Sequence, residues 1–126
     1  MTPTLRVAVT GLGRQDVSEA LRAVGGIEAV EMSDVEAATA LGGSVDYVVG
    51  VCESGGGAAL AMCIAIVGAD RCTNLSRMGR ATEPERLPGL LDDGVEVFGV
   101  ARDHVSAIVP GLGRALLARA ASAAGA

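Results

Sequence analysis

The chain has 126 residues, half of them apolar, with one Phe, one Tyr, no Trp and a formal net charge of −5. That length predicts one domain over 1–126, and the composition a core of Val, Leu, Ile and Ala. An acidic balance without aromatic platforms excludes a general nucleic-acid binder, which would show a basic face.

Leu5–Thr10, LRVAVT, reads as a buried strand, and Gly11-Leu12-Gly13 turns the chain. Gln15–Val24 follows as an amphipathic helix, with Val17, Ala20, Leu21 and Val24 at i, i+3, i+4 and i+7. Ile27–Met32 reads as a second strand, and Ser33 or Asp34 caps a helix through Leu41. A third strand around Val48, Val49 and Val51 ends in Cys52-Glu53-Ser54; Gly55-Gly56-Gly57 and the apolar helix Ala58–Val67 come next. Arg71–Leu75 is a weak fourth strand, and Ser76–Glu83, which has no periodicity, is expected as a loop. Pro84 opens a helix through Leu87, Leu90 and Leu91 to Asp93-Gly94 that Pro88 makes short or irregular, and Val95–Val100 is the fifth strand. Asp103 is expected to cap a last helix with the apolar stripe Val105, Ile108, Val109, Leu112 and Leu116, kinked at Pro110 and frayed from Ala118.

Alternating strands and helices imply a three-layer, parallel α/β fold of about five strands, Rossmann-like or flavodoxin-like. In such sheets ligands bind beyond the carboxyl ends of the strands, where strand order reverses. If the first and third strands are neighbours, Thr10 and Gly11 lie beside the turn from Cys52 to Gly57. That turn is the candidate anion site: its glycines let a ligand approach the main chain, and the free N–H groups of the following helix favour negative charge. Ser54, Gly55, Gly56 and Gly57 are the expected ligand-binding residues there, with Thr10 and Gly11 beside them. Arg77 and Arg80 flank Gly79 and are expected to close over the anion as bidentate donors. All ten basic residues are Arg, the better fork for phosphate or carboxylate, although a GC-rich genome gives the same bias.

Cys52, between a strand end and a helix N-terminus, is a candidate nucleophile or base; packing is the alternative use of such a residue. His104, the single histidine, is the other candidate for moving a proton. Glu53 reads as a solvated loop residue. Three cysteines without CxxC spacing, and no secretory leader, predict a reduced, cytoplasmic protein with no metal site. Gly11-Leu12-Gly13 lacks the third glycine of a dinucleotide fingerprint and there is no Walker A sequence, so no cofactor is expected. The longest apolar run, Ala58–Val67, falls short of the roughly 20 residues that span a bilayer. Membrane insertion is therefore not expected, which leaves room for a membrane transporter as a partner.

The stretch Gly50-Val51-Cys52-Glu53-Ser54-Gly55-Gly56-Gly57-Ala58-Ala59-Leu60 resembles the YhfU-like family of small glycine-rich bacterial proteins, a domain of unknown function. The resemblance continues through Ala65-Ile66-Val67-Gly68, Val97-Phe98-Gly99, Asp103-His104-Val105 and Pro110. Members tend to be encoded beside a membrane transporter and metabolic enzymes, which implies a cytoplasmic role in handling a small metabolite. Cys52-Glu53-Ser54-Gly55 is also similar to the Cys-x-Ser/Thr-Gly turn of B-type ribose-5-phosphate isomerases, whose Cys abstracts a proton. Their Asp-His pair after the first strand is replaced here by Thr10-Gly11-Leu12-Gly13. The turn is similar, too, to the phosphocysteine loop of sugar phosphotransferase IIB proteins, where the Cys follows the first strand and not the third.

Three functions follow as expectations. The leading one is a binding or sensory subunit of a transport-linked pathway that holds a small anionic metabolite, phosphorylated or not. The second is a sugar-phosphate isomerase-like enzyme with Cys52 or His104 as base. In the third, a homo-oligomeric interaction protein or phosphotransferase IIB-like subunit, the Ala58–Val67 helix is buried against another copy.

Overall fold

A computed structural model describes residues 4–53, 57–77 and 79–125. Its elements, in chain order, are β1 (Leu5–Gly11), α1 (Arg14–Val24), β2 (Ile27–Glu31), α2 (Asp34–Ala40), β3 (Tyr47–Cys52) and α3 (Gly57–Val67). They are followed by β4 (Cys72–Asn74), β5 (Ser76–Arg77), β6 (Arg80–Ala81), α4 (Leu87–Asp92), β7 (Val97–Ala101) and α5 (Val105–Gly125). Five strands form one parallel sheet in the order β2-β1-β3-β7-β4. The fold is a Rossmann-like, three-layer α/β arrangement, as the alternation of elements requires.

Strand alternation divides the core in two. Val7, Val9, Val49, Val51, Phe98 and Val100 face α1, α4 and α5, whereas Ala8, Val48 and Val97 face α2 and α3. Each fully buried Val, Leu or Phe contributes roughly 1.5–3 kcal/mol. On the second face the inward residues are small, Ala37 and Ala38 of α2 and Ala59 and Cys63 of α3, so those helices lie close to the sheet.

The crossover from β1 to β2 runs over the α1 face, and that from β2 to β3 runs in the opposite direction over the other face. Connections in both directions therefore keep one hand, as twisted sheets demand. Strand order reverses between β1 and β3, which pair directly with Thr10 opposite Gly50 and Gly11 opposite Val51. The ends of β1 and β3 are therefore side by side.

Four local features differ from expectation. Ser76–Glu83 is not simply a loop: β5 and β6 pair as a short antiparallel hairpin outside the main sheet, with Thr82 N–H donating to Leu75 O. Asp103 does not cap α5 but sits in a 3₁₀ turn, Arg102–His104, that leads into it. Pro84 begins a 3₁₀ turn, and α4 starts only at Leu87, with Pro88 in its first turn where a missing N–H is harmless. Finally, α5 stays helical beyond Ala118, where fraying was expected, as far as Gly125, helped by Leu116, Leu117 and Ala120 packing on the core and by the high helix propensity of Ala.

Candidate functional site

The carboxyl ends of the strands carry most of the residues singled out above. At the end of β1, Gly11 has φ 104°, and a Cβ on it would lie 1.9 Å from the Val51 carbonyl oxygen. No side chain fits between β1 and β3 there. Gly13, φ 84°, precedes α1, and the methylene stem of Arg102 lies over it. From the end of β7, Arg102 reaches across to donate through Nη1 to Glu53 Oε1 at 3.2 Å. One guanidinium thus links the loops that follow β1, β3 and β7. Both partners are more than half exposed, so the pair itself adds little stability. A shallow cleft of about 440 Å³, lined by Gly11–Asp16, Glu31 and Arg102, opens beside it.

Thr10 is buried one residue before Gly11, and its hydroxyl donates to Asp34 Oδ1 at 2.5 Å. Asp34 is available for this because Ser33 caps α2 in a capping box with Glu36. The Ser33 backbone N–H and hydroxyl hold the Glu36 carboxyl below its usual range. Thr10 therefore faces α2 and fastens the end of β1 to that helix. Asp34 was legible in the sequence only as an alternative cap, since nothing local ties it to Thr10.

Cys52 ends β3 and is half-buried. Gly57, the first residue of α3, has φ 52°, and a Cβ on it would come within 2.6 Å of the Cys52 sulfur. The thiol thus occupies the space that a side chain at 57 would need. Ser54, Gly55 and Gly56 lie outside the described residues. The other two cysteines are different: burial pushes the Cys63 thiol up to about 11 and also raises Cys72, whose sulfur sits 3.5 Å from Gly68 O. A thiol raised that far and closed off in the core offers little thiolate to a reagent at pH 8. Iodoacetamide at that pH is expected to alkylate Cys52 at least about tenfold faster than Cys63 in the native protein. Peptide mapping by mass spectrometry checks this, and equal rates would mean that Cys52 is as protected as a core thiol.

His104 is half-buried at the entry to α5, with Nδ1 2.8 Å from Ser76 Oγ. Ser76 is almost fully buried; its Oγ also accepts from Ala101 N–H at 2.9 Å, and its own N–H donates to Asn74 Oδ1 at 2.9 Å. The imidazole is therefore held through Nδ1, and Nε2 makes no hydrogen bond among the described residues. Ser76 escaped the sequence reading because a serine after a weak strand looks like any loop serine. Arg77 and Arg80 face each other across the β5–β6 hairpin; they line a cleft of about 350 Å³ with Thr82, Glu83 and Arg86. Because β4 runs parallel to β7 and continues into β5, this hairpin stands at the same end of the sheet as Cys52 and His104.

Fold and site together define a three-layer α/β protein with glycine turns, a cysteine, a serine-held histidine and an arginine hairpin at the carboxyl end of its sheet. The chain belongs to the protein family of unknown function DUF2620, whose profile matches residues 5–116. It is 30% identical over 108 residues to the uncharacterized protein YhfU of Escherichia coli K12, covering 83% of this chain and 92% of that one. The same identity and coverage hold for the uncharacterized YhfU proteins of Escherichia coli O6:H1 and Shigella flexneri. No solved structure matches the chain. Among the described residues, no helix is long and apolar enough to cross a membrane.

Proposed function

We propose that this protein binds a small anionic, phosphorylated metabolite in the crevice between the ends of β1 and β3, as the cytoplasmic binding subunit of a transport-linked pathway. The observation that carries the reading is the reversal of strand order between β1 and β3, since α/β sheets take their ligands in the opening that such a reversal leaves. Three features support it. Gly11 brings main chain, not side chain, to the crevice; Cys52 and Gly57 lie against each other at the start of α3; and Arg102 occupies Glu53, the carboxylate next to Cys52 that would repel an anion. Thr10 fastens the rim through Asp34.

The test is thermal unfolding against phosphate and a panel of sugar phosphates at constant ionic strength. A ligand at ten times its Kd adds about 1.4 kcal/mol, a rise of about 5 °C in Tm for a domain of this size. No rise with any member would remove the reading.

A second reading, an isomerase-like enzyme, draws support from His104, whose imidazole is anchored at Nδ1 with the other nitrogen left for a substrate proton. Cys52 is the alternative base. Homo-oligomerisation is compatible with both: α3 carries no charged side chain from Gly57 to Val67, and Ile64 and Ile66 are 41% and 48% exposed on it.

A further inference from the structure

Resting on the binding function proposed above, we infer that the β5–β6 hairpin is the phosphate grip of this protein, with Arg86 as a third donor beside Arg77 and Arg80. The argument begins with a cost. Arg77 and Arg80 are directly opposite in the hairpin register, and like charges at opposed positions of a two-stranded ribbon repel. A ribbon of two residues per strand has no stability of its own to offset this. It is held from below: Ser76 is pinned by Ala101 N–H and His104, and Thr82 N–H by Leu75 O.

Arg86, from the 3₁₀ turn before α4, brings a third guanidinium to the same cleft. Glu83 is the single carboxylate lining it, and none of the three arginines forms an ion pair with a carboxylate among the described residues. Of the seven other arginines, Arg6, Arg14, Arg71, Arg102 and Arg119 have carboxylate partners among the described residues, and Arg22 and Arg114 stand apart from this cleft. In a chain of net charge −5, such an unneutralised trio is a local positive focus that draws anions to one point.

The chemistry of the lining selects the class of ligand. Guanidinium forks match the oxygens of a phosphate bidentately, and three of them suit a dianion better than a single carboxylate. A cleft of about 350 Å³ holds a phosphate monoester head, not a polymer. Nucleic acid would need an extended basic face, which this acidic chain does not offer. The hairpin is also joined to a candidate proton-moving group: Ser76, the residue before Arg77, is the partner of His104. A monoester gripped here keeps its organic part at the carboxyl end of the sheet.

The test is an amide NMR titration of the full chain with inorganic phosphate, with ionic strength matched by chloride, and with malonate as a second probe. Saturable shifts at Arg77, Gly79, Arg80 and Arg86 are expected, and Arg86→Gln should raise the phosphate Kd about tenfold without altering the rest of the spectrum. Saturable shifts confined to Gly11–Arg14 and Glu53–Gly57 would overturn the hairpin grip while leaving the crevice reading intact. Shifts reproduced by chloride alone, or an unchanged Kd in Arg86→Gln, would also overturn it. Malonate binding as tightly as phosphate would overturn the phosphate class. No saturable shift anywhere would sink both proposals.

Discussion

Gly11→Ala is expected to destabilise the protein by about 4–5 kcal/mol, a third or more of the total for an ordinary domain. Two costs add. At φ 104° an L-residue is strained by about 2 kcal/mol, and the new methyl would stand 1.9 Å from the Val51 carbonyl oxygen. That oxygen belongs to the backbone of β3, which is held in register on one side by β1 and on the other by β7. It can retreat only if the last ladder hydrogen bonds break. Gly25→Ala isolates the first cost, because Gly25 has φ 87° and nothing within 4 Å of its Cβ position. Urea unfolding of both variants should therefore place Gly11→Ala about 2–3 kcal/mol below Gly25→Ala. Equal losses would mean that β1 and β3 part easily at this end, and the crevice would then be a flexible seam.

The same glycine shows what a sequence reader can and cannot see. Gly11-Leu12-Gly13 is legible as a turn after a strand, but the need for glycine at 11 comes from Val51, forty residues away, and appears only once the two strands are paired. Strand order was not legible beyond the conditional pairing of the first and third strands. β7 is buried at every position, whereas the three residues of β4 are all half-buried, and a strand apolar on both faces belongs inside a parallel sheet. The contrast suits the order found, with β7 between β3 and β4, but chain order alone would put β7 at the edge. The hairpin was hidden for a different reason: two-residue strands are too short to show an alternation.

At the candidate site, the residues singled out beforehand were Cys52 and His104, Thr10 and Gly11, Ser54 to Gly57, and Arg77 and Arg80. The residues missed were the ones that hold them. Asp34 secures Thr10, Arg102 spans Gly13 and Glu53, and Ser76 secures His104. Their hydrogen bonds run across 24 to 49 positions of sequence, a range at which spacing carries no signal. Asp103 illustrates the converse. Its type and position suit a helix cap, but the chain leaves β7 through a 3₁₀ turn, which puts Asp103 inside the turn and aims His104 at Ser76.

Ser76→Ala is accordingly the second large effect, a loss of about 2–3 kcal/mol from removing a single oxygen. That oxygen is 2.9 Å from the Ala101 N–H and 2.8 Å from His104 Nδ1 in a position closed to solvent, so both groups lose a partner that water cannot easily replace. Ser76→Thr keeps the hydroxyl and should recover most of the loss if the added methyl is accommodated. Urea unfolding reads the stability, and amide hydrogen exchange at Ala101 reads the local consequence, which should be faster exchange in Ser76→Ala than the global loss alone explains. An unchanged Ala101 amide would mean that another acceptor serves it. The bond matters beyond stability because Ser76 stands at the base of β5: the hydroxyl that orients the imidazole also anchors the strand that carries Arg77. Loosening it should weaken phosphate binding and free the histidine ring together, whereas independent sites would respond one without the other.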